Sequence, residues 1–161
     1  MVINDEFWKG KKVFITGHTG FKGSWLTIWL NELGVETFGF SIDKPSKRNL
    51  YDEAGVDLLT ESTVGDIRDI DALKESLLKF KPDIVFHLAA QPLVRFSYEN
   101  PVTTYETNVM GTLNLLEVSR QVESISAVIN ITTDKCYENK EQRKGYKAVS
   151  YTHLRAHETN S

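Results

Sequence analysis

The 161-residue sequence has a single cysteine, Cys136, and no long uninterrupted apolar run. One cysteine excludes an internal disulfide and a cysteine-based zinc site, and it fits a reducing compartment. The absence of a membrane-spanning run and of a signal-peptide core at the start predicts a cytoplasmic protein. With a formal net charge of −3, the chain also lacks the basic excess that a nucleic-acid or anionic-membrane surface needs.

The stretch KVFITGHTGFKG, residues 12–23, is the strongest local signal. A β-branched and aromatic run precedes Gly17, Gly20 and Gly23, and an apolar-periodic helix follows them and ends near Gly34. Glycine permits a tight turn and a close approach to a pyrophosphate, and the helix N-terminus offers free N–H groups. An ordinary strand-to-helix turn is the alternative, but the position early in the chain favours a dinucleotide site.

A second predicted strand, residues 35–42, leads to Asp43. An acid about 20 residues beyond the glycine turn can bind the adenosine ribose hydroxyls, which favours NAD over its 2′-phosphorylated form. The neighbouring Lys44, Lys47 and Arg48 would instead accept a 2′-phosphate. A plain turn residue is the other interpretation of Asp43.

The remaining pattern alternates strands with helices. We predict strands at 62–64, 84–88 and 127–132, helices at 69–80 and 101–122, and a loop with a short helix at 49–59. This rhythm predicts an α/β fold, a doubly wound parallel Rossmann sheet that stops after about the fifth strand, in one domain over residues 1–147. Such sheets bind ligands beyond the carboxyl ends of their strands.

Several candidate residues fall at those ends. Asp66 follows the third strand and either holds an adenine ring or caps the next helix. Ala89 and Ala90 bring small side chains to the end of the fourth strand, whereas His87 inside that strand is interpreted as a satisfied core histidine.

The fifth strand is followed by Thr133, Asp134 and Lys135. A hydroxyl, a carboxyl and an amine at a strand end can bind a substrate hydroxyl, donate a proton and stabilise a charge. A solvated turn can have the same composition, so only the position near a cofactor favours a catalytic role for these residues.

The segments GHTGFKG, HLAAQPLVRFSY, TNVMGT and ITTDKCY together resemble the extended short-chain dehydrogenase/reductase family, and within it the sugar-nucleotide dehydratases that act on CDP-glucose. The resemblance covers residues 5–147. The pair Asp134-Lys135 is specific, because the related dehydratases of dTDP-glucose have Asp-Glu there and the epimerases have other residues.

The resemblance implies bound NAD, a CDP-glucose substrate and the product CDP-4-keto-6-deoxyglucose, a precursor for deoxysugars of bacterial surface polysaccharides. It implies that Thr133 orients the C4 oxygen, Asp134 protonates the departing C6 hydroxyl and Lys135 assists at C5. It also implies a homodimer that pairs through the helix starting near Pro101. The implied cofactor-binding residues are Gly17, Gly20, Phe21, Lys22 and Gly23 in the turn, Asp43 at the ribose, Asp66 and Ile67 at the adenine, Leu88, Ala89 and Ala90 beside the nicotinamide, and Asn108 on the central helix.

The family pattern breaks near the end of the sequence. The family's catalytic Tyr-x-x-x-Lys pair is missing, and Tyr151 to Arg155 only mimics its spacing. Back-translated, residues 149–159 resemble the transposase adapter used for sequencing libraries, so we interpret residues 148–161 as a tail foreign to the family. His153 and His157 have helical spacing for a metal, but the adapter interpretation leaves no metal site.

These features predict an incomplete dehydratase domain, inactive alone, without a sixth strand, the sugar-nucleotide lobe or the tyrosine. Two alternatives remain: another sugar-nucleotide dehydratase or epimerase of the same fold, and a non-catalytic NAD-sensing module.

Overall fold

The computed structural model describes residues 5–133 and residue 145. The chain divides into two compact units, residues 1–130 and 131–161. The first unit contains one five-stranded parallel sheet, in the order β3-β2-β1-β4-β5. Its strands are β1 (Lys12–Thr16), β2 (Glu36–Ser41), β3 (Glu61–Val64), β4 (Ile84–His87) and β5 (Ala127–Asn130). In the second unit, residues 131–133 and 145 are the described ones, and they form no helix or strand.

Helices connect the strands on both faces of the sheet. They are α1 (Asp5–Trp8), α2 (Phe21–Glu32), α3 (Leu50–Glu53), α4 (Ile70–Phe80), α5 (Val94–Glu99), α6 (Pro101–Tyr105) and α7 (Gly111–Ser119). A 3₁₀ turn at Val56–Leu58 follows α3, and a π turn at Glu106–Met110 joins α6 directly to α7. None of the helices in the described part of the chain is both long and apolar enough to span a membrane.

The central strand β1 builds a core on each face of the sheet. Successive side chains of a strand point to opposite faces, so Phe14 packs into one cluster with Leu77 of α4 and Leu115 of α7. Val13 and Ile15 pack into the other cluster with Leu30 of α2. The near-continuous apolar runs of β1 and β4 follow from this two-sided burial.

The predicted doubly wound parallel sheet is confirmed, with each expected strand present. Most other element boundaries differ by about one residue, and three differences are larger or affect candidate residues. Helix α2 begins at Phe21, so Phe21 and Lys22 lie in its first turn and not in the glycine turn as predicted. The strand predicted at 127–132 ends at Asn130, and the helix predicted at 101–122 ends at Ser119 and contains the π turn. Asp134, Lys135, Cys136 and the predicted tail at 148–161 lie outside the described residues.

Candidate functional site

The glycine turn joins β1 to α2 at the carboxyl edge of the sheet. Gly17 has a φ of +76°, and its N–H donates to the Phe40 carbonyl of β2 at 2.8 Å. The Gly20 N–H donates to the Gly17 carbonyl at 3.1 Å, and the Ser24 hydroxyl donates to the His18 carbonyl at 3.1 Å. These bonds hold the turn tightly against the first turn of α2.

Two glycines of the turn have no space for a side chain. A Cβ on Gly23 would lie 2.2 Å from the Gly17 carbonyl oxygen, and a Cβ on Gly17 would lie 2.7 Å from the Ala89 backbone nitrogen. Around Gly20 the nearest atom would be 3.3 Å away. Gly17 and Gly23 are therefore needed for packing, whereas Gly20 keeps the surface of the turn bare.

The N-terminus of α2 is suited to an anion. Its N-cap residue, Gly20, has no side chain with which to satisfy the first free N–H groups of this 12-residue helix. Free N–H groups and the positive end of the helix dipole together bind phosphates. The bare turn and the uncapped helix end fit the pyrophosphate of a dinucleotide.

The end of β2 is tied to the same turn. The Thr19 hydroxyl donates to the Asp43 carbonyl at 2.7 Å, and Asp43 accepts through its carboxylate from the Lys44 N–H at 2.6 Å. Asp43 is thus fixed beside the glycine turn with an exposed carboxylate, which fits a pair of ribose hydroxyls.

His18, within the turn, is buried with 2% of its surface exposed. Its Nδ1 shares a hydrogen bond with the Ser41 hydroxyl at 2.9 Å, and its ring is nearly perpendicular to the Tyr51 ring, with 5.3 Å between the centroids. A Cβ on Gly39 would collide with this ring at 2.3 Å, which explains a glycine inside β2. Burial lowers the pKa of His18 to about 4, so the ring is neutral at pH 7.

The segment after β3 is fixed by an ion pair. The Asp66 carboxylate accepts from the Arg68 N–H at 2.9 Å and from its guanidinium at 2.6 Å, and these hydrogen bonds lower the pKa of Asp66. The residue that caps α4 is Asp69, which accepts from two backbone N–H groups. The suggestion that Asp66 caps that helix is therefore wrong. Ile67 is 4% exposed, and its side chain packs where Gly111 has no Cβ.

The chain leaving β4 is held by the π turn. Leu88, Ala89 and Ala90 leave the strand beside Gly17, and Gln91 follows. The Gln91 N–H donates to the Asn108 Oδ1 at 2.7 Å, and the Asn108 Nδ2 donates back to the Gln91 carbonyl at 3.0 Å. The two hydrogen bonds fix the chain after β4 against the π turn, a type of turn that occurs often at functional sites.

His87 links three elements below the site. Its Nδ1 shares a hydrogen bond with the Thr16 hydroxyl at 2.6 Å, and its Nε2 shares one with the Thr112 hydroxyl at 3.0 Å. The prediction of a satisfied core histidine is confirmed. Burial lowers the pKa of His87 to about 4.

The two buried histidines predict a pH dependence of stability. Both pKa values fall from 6.5 to about 4 on folding, so between these limits the unfolded chain binds protons that the folded chain does not. The free energy of unfolding is therefore highest above pH 6.5 and falls as the pH drops towards 4, by up to about 1.4 kcal/mol per pH unit for each histidine. Urea unfolding at several pH values measures this slope, and His87→Gln should reduce it by about half. A stability that is flat through this window would contradict the assignment.

The structure brings together the glycines, Asp43, Ala89 and Asn108 at one sheet edge, and it places Asp66 at the end of the neighbouring strand β3. Thr133 is exposed and follows β5 by three residues, while its predicted partners Asp134 and Lys135 are not described. Sequence reasoning missed Thr16, Thr112 and Gln91, whose hydrogen-bond partners belong to other elements of the fold. Across residues 5–133 and 145, no cluster of metal-ligating side chains is found.

Comparisons with known proteins agree with this arrangement. A model of the GDP-mannose 4,6 dehydratase family matches residues 14–148. The CDP-glucose 4,6-dehydratase of Salmonella typhimurium is 56% identical over 91% of this chain and 41% of that protein. The CDP-paratose 2-epimerase of Salmonella typhi is 37% identical over 83% of this chain and 40% of that protein. The chain thus spans about two fifths of the length of these curated relatives.

Solved structures share the fold. The crystal structure of Thermus thermophilus UDP-glucose 4-epimerase in complex with NAD matches with a TM-score of 0.62 and 34% identity, over 70% of this chain and 35% of that one. These matches confirm the resemblance to sugar-nucleotide dehydratases that the motifs indicated. Because the family model covers most of its residues, the chain belongs to the GDP-mannose 4,6 dehydratase family.

Proposed function

We propose that this chain is the NAD-binding part of an enzyme that dehydrates CDP-glucose to CDP-4-keto-6-deoxyglucose. The observation that carries the proposal is the 56% identity to the Salmonella CDP-glucose 4,6-dehydratase over 91% of the chain. The pair Asp134-Lys135 supports it, since dehydratases of dTDP-glucose have Asp-Glu at these two positions. The single cysteine fits a reducing compartment, and we propose the cytoplasm as the location.

The cofactor proposal is supported by the shape of the sheet edge. The bare turn and the N-terminus of α2 would hold the pyrophosphate, Asp43 the adenosine ribose, and Asp66 with Ile67 the adenine. Leu88, Ala89 and Ala90 would line the nicotinamide side, and Asn108 keeps them in place through Gln91. When bound, NAD would accept the C4 hydride of the sugar and return it at C6.

The three residues Thr133, Asp134 and Lys135, which follow β5 in the sequence, would act on the sugar. Thr133 would orient the C4 oxygen, Asp134 would give its proton to the departing C6 hydroxyl, and Lys135 would assist removal of the C5 proton, which the C4 ketone acidifies. Hydroxyl, carboxyl and amine groups suit these roles, since each must hold or move one proton at a defined atom.

We also propose a homodimer that pairs through the helix spanning residues 101–119. An apolar stripe of this helix is exposed: Tyr105 by 69%, Val109 by 52%, Leu113 by 54% and Leu116 by 44%. A contiguous apolar face of this kind marks interaction surfaces.

The variant Leu113→Glu should weaken this pairing, because it buries a charge in the interface. Sedimentation velocity should show a dimer for the unmodified protein and a shift towards monomer for the variant. Leu78→Glu, which changes a 44% exposed leucine on α4, is the matched control and should leave the dimer intact. A monomeric unmodified protein would contradict the proposal.

An epimerase is the second candidate, because the 37% identical relative is a CDP-paratose 2-epimerase. The two functions give different products. An epimerase would invert one stereocentre and remove no hydroxyl, whereas a dehydratase removes the C6 hydroxyl and leaves a 4-keto sugar.

The test uses two proteins: the one encoded by the gene in the source DNA, and the 161-residue chain. The purified protein is incubated with CDP-glucose and NAD⁺, and the 4-keto sugar is followed by its absorbance in alkali. Formation of the 4-keto-6-deoxy product supports the proposal. No turnover of any nucleoside-diphosphoglucose, despite bound NAD⁺, would favour the non-catalytic NAD-binding module.

A further inference from the structure

The loop after Asp43 carries three cations, two of which are already paired. The Lys44 ammonium lies 2.6 Å from the Asp52 carboxylate, and the Arg48 Nε lies 2.6 Å from the Glu53 carboxylate. Lys44 also lies 5.7 Å from the centre of the Tyr51 ring, a cation–π distance. Two cations of the basic loop therefore contact acids of α3 and do not form an open anion site.

Helix α3 is held so that its acids face this loop. Asn49 caps the helix by accepting from the Asp52 N–H at 2.9 Å, and its amide donates to the Ser46 carbonyl and to the Asp52 carboxylate, each at 2.9 Å. Tyr51 is buried and packs against His18 in the glycine turn. The acids are thus positioned by the same element that supports the cofactor edge.

The pairing changes the charge that an incoming phosphate would meet. The hydrogen bond between Lys44 and Asp52 raises the pKa of Lys44 and lowers the pKa of Asp52, so both side chains remain charged at pH 7. Lys44, Lys47 and Arg48 are balanced by Asp43 together with the two acids of α3. The loop therefore offers no surplus positive charge to a 2′-phosphate, although the sequence contains three cations there.

We propose that Asp52 and Glu53 determine the preference for the unphosphorylated dinucleotide by holding Lys44 and Arg48 away from the ribose 2′ position. This inference rests on the proposed NAD site and extends it, because the two acids lie behind the basic loop. A 2′-phosphate would have to break both ion pairs and would still face the acids that remain. An unphosphorylated ribose needs none of these cations.

The test compares the reduced dinucleotide with its 2′-phosphorylated form, each titrated into the 161-residue chain and followed by nicotinamide fluorescence and calorimetry. The double variant Asp52→Asn with Glu53→Gln frees both cations and retains side chains of the same size. Its affinity for the 2′-phosphorylated form should rise about threefold to tenfold, since each exposed ion pair is weak. The gain should shrink at high salt, and affinity for the unphosphorylated form should change less than about twofold.

Two further variants test whether any gain comes from the cations of the basic loop. Asp71→Asn with Glu75→Gln removes the same two charges from α4 and should give no gain. Adding Lys44→Met to the freed double variant should remove most of the gain. The inference is overturned if the unmodified chain binds the unphosphorylated form and the double variant shows no gain, or if the α4 control gains equally. If the unmodified chain binds neither form, the proposed cofactor site itself fails.

Discussion

Replacing Gly23 with alanine should lower the free energy of unfolding by about 3 kcal/mol or more. The added methyl group would lie 2.2 Å from the Gly17 carbonyl oxygen and 2.7 Å from the His18 Cα. Both atoms belong to the backbone of the turn, so the clash cannot be relieved by rotating a side chain. The direction of the change in the free energy of unfolding is informative, because alanine normally stabilises a helix interior by about 1 kcal/mol relative to glycine. Urea unfolding followed by circular dichroism measures the difference.

The matched control is Gly20→Ala, three residues earlier. Gly20 has a φ of −71°, which alanine adopts without strain, and its nearest neighbour would be 3.3 Å from the new Cβ. Stability should stay within about 1 kcal/mol of the unmodified chain. If the bare turn receives a pyrophosphate, the same variant should nonetheless bind NAD more weakly. Equal stability of the two variants would contradict the close packing of α2 on the turn.

In the protein encoded by the source gene, Asp134→Asn should lower kcat of the CDP-glucose reaction by about 10² to 10⁴-fold, the usual contribution of a positioned general acid. Asparagine cannot give a proton to the departing C6 hydroxyl. Oxidation at C4 does not need that proton, so reduced nicotinamide should accumulate on the enzyme while the 4-keto-6-deoxy product does not form. Rapid-mixing absorbance of the reduced nicotinamide, together with the alkali assay, separates the two steps.

The control for this variant is Glu75→Gln, a charge removal on α4 that should leave kcat unchanged. If Asp134→Asn blocks formation of reduced nicotinamide as strongly as it blocks product, the role in dehydration is wrong and the residue acts earlier. Unchanged turnover would remove Asp134 from the chemistry altogether.

The fold could be predicted because its signals are local. The glycine turn, the C-terminal Gly34 of α2 and the apolar runs of β1 and β4 each follow from a few neighbouring residues. They fixed the sheet type and the edge at which the candidate residues meet. The proposed catalytic role of Asp134 came from the ITTDKCY motif alone.

The remaining features depend on register and on distant partners. That Thr16 and Thr112 satisfy His87 requires knowing that β1 lies beside β4 and that α7 crosses below them. In the sequence, the cations of the basic loop looked free to bind a phosphate. The Lys44–Asp52 ion pair could not be predicted, because the path of the loop between these residues does not follow from the sequence. The helical spacing of the apolar residues from Tyr105 to Leu116 places them on one stripe, but spacing alone does not show that this stripe faces outward.

The π turn at Glu106–Met110 also constrains the length of the sequence. A π turn holds one residue more than an α-helical turn, and each residue of an α-helix rotates its neighbours by about 100°. Deleting Val109 or Met110 would therefore change the rotation of Asn108 about the helix axis relative to Gly111. Asn108 could not then reach Gln91 while Gly111 still faces Ile67. A relative one residue shorter between these two positions must hold the chain after its fourth strand in a different way.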